Sequence, residues 1–144
     1  MTAATTFPAP AISEAAPRTA AGARLWRTGA VSGIVAGIAT SAVAGVAHAL
    51  DVSLRVSGSA IPVIGFAQVT FVAAIIGTIL AVVLSRRAGA PRRTFVTTTI
   101  ALTALSIVPD VIVNAGVATK GTLALTHVVA AAIVIPALAS RLTD

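Results

Sequence analysis

A chain of 144 residues with 57% hydrophobic and only 10% charged residues, and a mean hydropathy of +1.01, cannot cover a water-facing surface, because soluble domains carry about 25% charged residues. Ten Lys and Arg against four acids leave a formal charge of +6, which in so apolar a chain reads as membrane-orienting rather than nucleic-acid-binding. The lack of cysteine excludes disulfides, thiolate metal sites and dithiol redox chemistry.

Residues 1–23 hold Pro8, Pro10 and Pro17 among Ala, Thr and Ser with no periodic apolar face, which predicts a disordered cytoplasmic tail. Residues 24–142 then form the membrane domain, opened by Arg24, Trp26 and Arg27 at an interface. The first span is expected at 28–50, long enough at 1.5 Å per residue to cross a hydrocarbon core of about 30 Å. It places a small residue at every fourth position, Gly29, Gly33, Gly37, Ser41, Gly45 and Ala49. Small residues let helix backbones approach closely in lipid, so this stripe predicts a packing face against another helix of the chain or a second copy. The start of the chain also resembles a signal sequence, with Ala47-His48-Ala49 as a cleavage site. The apolar run exceeds the usual 7–15 residues, which favours a retained span.

A short polar connection at 51–60 follows, in which Asp51 and Arg55 are spaced to pair on a helical extension. The second span is expected at 61–84, with Pro62 in its first turn and Gln68 further in. Arg86, Arg87, Arg92 and Arg93 fill the next loop. The third span, 94–113, is rich in threonine at 97, 98, 99 and 103, whose hydroxyls can bond to their own helix or reach a neighbour, and it ends near Pro109, Asp110 and Asn114. Lys120 precedes a fourth span at 122–139 that contains His127 and Pro136.

Arg18, Arg24, Arg27, Arg86, Arg87, Arg92, Arg93 and Arg141 fall in the tail, the middle loop and the C-terminal segment, against Arg55 and Lys120 in the other two loops. The positive-inside rule then gives an all-α, four-helix transmembrane bundle in the inner (plasma) membrane, N-in and C-in. Short connections make sequential helices antiparallel neighbours.

Ionisable and amide groups inside lipid are costly unless partnered, so they mark candidate sites. His48, Gln68, Asp110, Asn114 and His127 all fall toward the same end of their spans and form a candidate polar cluster. Three readings compete. Imidazoles and carboxylates suit a metal, but no His-Glu-x-x-His spacing is present, and no metal or other cofactor is expected. Asp110 and His127 suit proton exchange, with Pro109 loosening the helix beside them. Interhelical hydrogen bonding alone would also account for the cluster, at about 0.6–2 kcal/mol per bond. No phosphate-binding glycine loop, nucleophile elbow or nucleic-acid module occurs, so neither an enzyme nor a nucleic-acid partner is expected.

Ile61-Pro62-Val63-Ile64-Gly65-Phe66-Ala67-Gln68, the stretch from Arg92-Arg93-Thr94-Phe95 to Val108-Pro109-Asp110, and Leu125-Thr126-His127-Val128-Val129-Ala130-Ala131-Ala132 resemble a family of small actinobacterial four-helix membrane proteins classed as a domain of unknown function. The resemblance spans about residues 25–142. It implies an actinobacterial inner-membrane protein and supplies no catalytic residues.

The expected role is therefore a structural or interaction component of the bilayer, packed through the first helix against its own copies or another membrane protein. The alternative is a small proton- or ion-linked transporter subunit using Asp110 and His127. Reporter fusions at both termini and in the loops at 51–60 and 115–121 test the topology. Both termini should report cytoplasmic and both loops external, and an external C-terminus would contradict the arginine count.

Overall fold

The computed structural model describes residues 15–144. The elements in chain order are α1 (Ala15–Ala49), β1 (Arg55–Val56), β2 (Ser59–Ala60), α2 (Val63–Arg87), α3 (Pro91–Ile112) and α4 (Val117–Ala139). All four helices are long and apolar enough to cross a membrane, and they fit a multi-pass membrane protein. Large aliphatic side chains such as Val31, Ile38, Val69, Leu105 and Val128 stand exposed around the bundle, as lipid-facing positions would.

The helix boundaries differ from expectation mainly at the start. Helix α1 begins at Ala15, so the segment 15–23, expected as tail, is helical, and the tail assigned to 1–14 lies outside the described residues. The uncharged part of α1 runs from Thr28 to Ala49, 22 residues or roughly 33 Å, enough to cross a hydrocarbon core of about 30 Å. Helix α3 starts at Pro91 and α4 at Val117, each earlier than the hydropathy alone marks. Proline suits the first turn because its missing N–H has no intrahelical partner there. The next N–H groups of α3, those of Arg92 and Arg93, donate to the Asp144 carboxylate at 2.9 and 3.1 Å. The last residue of the sequence thus caps a helix 51 residues away in the chain, in place of the unhelpful N-cap Ala90.

Helix α1 makes the most extensive contacts, with α2 on one side and α4 on the other, while α3 rests chiefly on α4 and only lightly on α2. The third helix therefore stands away from the first. Two apolar clusters close the ends of the bundle. Leu25, Ala81, Phe95, Leu138, Ala139 and Leu142 join all four helices at the end that carries the arginine loop. Ala44, Ala47, Leu54 and Phe66 close the opposite end.

Residues 51–60, expected as a plain polar connection, fold into a small hairpin with Arg55 opposite Ala60 and Val56 opposite Ser59. Its two turn residues, Ser57 and Gly58, both take positive φ (51° and 85°), which matches the twist of a two-residue hairpin. Arg55 donates to the Gly58 carbonyl at 2.9 Å instead of pairing with Asp51, because the chain leaves the helix before the i, i+4 spacing can act. Leu54 also has positive φ (45°) and yet is 2% exposed. Burying a leucine, at about 1.5–3 kcal/mol, outweighs the roughly 1–2 kcal/mol cost of that backbone conformation. The hairpin is tied to the α3–α4 connection by Ser57 N–H donating to the Asn114 carbonyl at 2.9 Å.

Gly29, Gly33 and Gly37 lie where α1 runs against α2. A Cβ on Gly29 would land on the Thr78 side chain, one on Gly33 would stand 2.9 Å from the Ala74 Cβ, and one on Gly37 would stand 3.4 Å from the Ala67 carbonyl oxygen. Ser41, one turn on, is placed to donate to the Val63 carbonyl at 3.4 Å. Gly45 has open space around it. Replacing Gly33 and Gly37 together by Leu should lower stability by about 1–3 kcal/mol per site through overpacking, whereas Gly45→Ala should change it by less than about 0.5 kcal/mol. Thermal unfolding in one detergent reads both, and equal melting of the double variant and wild type would show that α2 can retreat without cost.

Candidate functional site

Helix α3 carries Thr99, Thr103, Ser106 and Asp110 at intervals of four, three and four residues, which aligns them on one face. The hydroxyls obey the demand that polar groups in lipid find partners. Thr99 donates to the Phe95 carbonyl at 2.7 Å, Thr103 to Thr99 at 2.8 Å and Ser106 to Thr103 at 2.7 Å, all within their own helix. Asp110 continues that face but is too short and too acidic to bond back to a carbonyl while ionised. Its partner comes from α4.

The His127 Nδ1 lies 2.9 Å from the Asp110 Oδ2, with the carboxylate side chain 13% and the imidazole 35% exposed. The same nitrogen is 3.0 Å from the Leu123 carbonyl, to which its hydrogen-bond geometry is aligned. That carbonyl already receives the Thr126 hydroxyl at 2.7 Å in addition to its place in the helix ladder. Asp110 Oδ2 is consequently buried and close to an imidazole nitrogen, yet accepts no aligned hydrogen bond. Pro109, immediately before Asp110, lacks an N–H and so deprives the Leu105 carbonyl of its intrahelical donor beside the pair.

His127 also lines a cavity of about 290 Å³ between α2, α3 and α4. The cavity exists because α3 leans on α4 and barely meets α2, and because the facing positions include small residues such as Ala73, Gly77 and Ala131. Ile76 of α2 and Leu102 of α3, on its rim, are exposed, so the opening faces sideways, toward where lipid would be.

Of the five side chains expected to cluster, Asp110 and His127 come together and the others do not. His48 lies exposed past the last buried turn of α1, which Ala44 and Ala47 mark. Gln68 is exposed because α2 buries positions 66, 70, 74, 78 and 81, and residue 68 sits about 140° round the helix from their mean direction. Asn114 contributes its backbone carbonyl to the hairpin contact while the residue stays exposed. Lys120, ahead of the fourth span's core, donates to the Val111 carbonyl at 2.7 Å. Among the described residues no three His, Asp or Glu side chains converge as a metal site would need. The cavity itself went unread in the sequence. The i, i+4, i+7, i+11 alignment of Thr99, Thr103, Ser106 and Asp110 is the signal that points to it.

No curated protein and no solved structure matches the chain. A family model matches residues 20–144, which takes in all four membrane-length helices, the hairpin and the Asp110–His127 pair. The chain belongs to the family of unknown function DUF6069.

Proposed function

We propose that this protein is a small proton- or ion-linked transporter subunit of the inner (plasma) membrane, both termini cytoplasmic, in which Asp110 and His127 exchange a proton at the edge of the α2–α3–α4 cavity. The observation that carries this reading is the buried Asp110 Oδ2, 2.9 Å from the His127 Nδ1 and without an aligned hydrogen bond. A purely structural carboxylate inside a membrane would be expected to have all its acceptors satisfied, since each unsatisfied group costs free energy with no water to offset it. Among the described residues the cavity lining is mostly aliphatic, so transport would use further copies of the chain or a membrane-protein partner to complete a polar path.

A second reading is supported by a separate observation. The small-residue stripe is occupied within the chain, with Gly29, Gly33 and Gly37 against α2, so a structural role would rest on α1 as the internal spine of the bundle. Assembly with other proteins would then use the exposed aliphatic faces rather than the stripe.

Purified protein in vesicles carrying an internal pH indicator separates the two. Wild type should dissipate an imposed pH gradient faster than protein-free vesicles, Asp110→Asn should abolish the difference, and His127→Gln should reduce it at least about tenfold, in the range of a lost proton-transfer group. Wild-type vesicles indistinguishable from empty ones would leave the structural reading.

A further inference from the structure

The cavity beside His127 is walled by aliphatic side chains, among them Leu80, Leu102, Val134 and Ile135, and its polar atoms are few and of one kind. Thr99, Thr103 and Ser106 have each committed their only proton to a carbonyl of α3. Thr70 meets the Thr40 hydroxyl at 3.0 Å, and because Thr40 donates to the Gly37 carbonyl at 3.1 Å, the proton between them belongs to Thr70. A hydroxyl that has donated still offers lone pairs. His127 with its Nδ1 proton turned to Leu123 or Asp110 leaves Nε2 as a further acceptor. The lining can therefore accept hydrogen bonds but, while His127 is neutral, cannot give them.

We infer that this cavity is a binding site for a small, uncharged, lipid-soluble molecule bearing a hydroxyl donor, an alcohol or phenol, with its apolar body among the aliphatic walls and its O–H directed to the hydroxyl oxygens of α3. Three features set that class. The volume of about 290 Å³ lies at the small end of ligand pockets, roughly 300–1,000 Å³. The sideways opening past Ile76 and Leu102 suits entry from lipid. An acceptor-only lining disfavours carboxylates, ketones and ethers, which bring no donor and would set lone pair against lone pair. The inference deepens the transporter reading by naming what the cavity takes, and in that sense rests on it.

The test uses full-length protein in nanodiscs of saturated phosphatidylcholine, with 1-naphthol and its methyl ether 1-methoxynaphthalene as probes, binding being followed by probe fluorescence. Wild type should bind 1-naphthol saturably and about fivefold more tightly than the ether, the size of one net hydrogen bond. The paired substitution Thr103→Val with Ser106→Ala should bring the two probes within about twofold, and Ala131→Leu, filling the cavity, should weaken both. Thermal unfolding confirms that each variant is folded, and Gly77→Leu serves as a second filling variant should Ala131→Leu fail. Equal binding of phenol and ether by wild type would overturn the inference and assign the cavity to lipid acyl chains, as would binding indifferent to both filling variants. Asp110→Asn separates the two proposals: it should abolish proton movement while retaining the preference for 1-naphthol. A wild type that prefers 1-naphthol but moves no protons refutes the transporter reading alone.

Discussion

Hydrocarbon supplies no hydrogen bonds, and the arrangement of this chain follows from that constraint. Its apolar segments are helices because a helix satisfies its own backbone, and Thr99, Thr103 and Ser106 of α3 return their protons to carbonyls of the same helix. Where the chain must be irregular, between α1 and α2, it forms a hairpin, seats Leu54 in the end of the bundle and ties Ser57 to Asn114. Against that background of satisfied groups the buried Asp110 Oδ2 is an exception. The neighbouring Leu123 carbonyl takes the aligned hydrogen bond from the His127 Nδ1, which leaves the Asp110 Oδ2 2.9 Å from that nitrogen without one.

Packing and polarity divide the bundle between them. Helix α1 lies between α2 and α4, close to α2 where glycines permit it, and apolar clusters seal both ends. The tight contacts are spent there, and α3 is left leaning on α4 with a gap toward α2. The gap is where the polar face of α3 looks out. The cavity and the acid–base pair are therefore products of one asymmetry: a well-packed spine on one side and a loosely held third helix on the other. On the proposed function, that looseness is what admits a molecule from the lipid and gives Asp110 room to change its proton partner.

Much of this was legible in the residues. Four apolar runs of membrane-spanning length, separated by short loops that each carry Arg or Lys, specify four helices, because a helix satisfies its own backbone in lipid. Asp110 and His127 stood out because ionisable groups are rare in such runs. Helical phase was harder to see. In an amphipathic soluble helix the buried face can be read from its apolar stripe, but α1 and α2 are apolar nearly all round, so nothing marked Gln68 as pointing outward or His48 as lying past the last packed turn. The hairpin was hidden for a different reason. Ser57-Gly58 is a turn dipeptide, yet the strands it joins are two residues each, too short to show an alternating pattern. Asp144 as the cap of α3 depends on a contact across 51 residues, which local sequence cannot announce.

On the proposed function, a proton moves between Asp110 and His127. Infrared difference spectra of the membrane-embedded protein, stepped in pH, read the carboxyl stretch directly, and subtracting the Asp110→Asn variant removes the signals of the other carboxylates. Proton movement between the two side chains gives a protonated-carboxyl band that grows on acidification in wild type, vanishes in Asp110→Asn and shifts in His127→Gln. A wild-type spectrum that matches Asp110→Asn in the carboxyl region at every pH would mean that the pair holds its proton fixed and serves only to join α3 to α4.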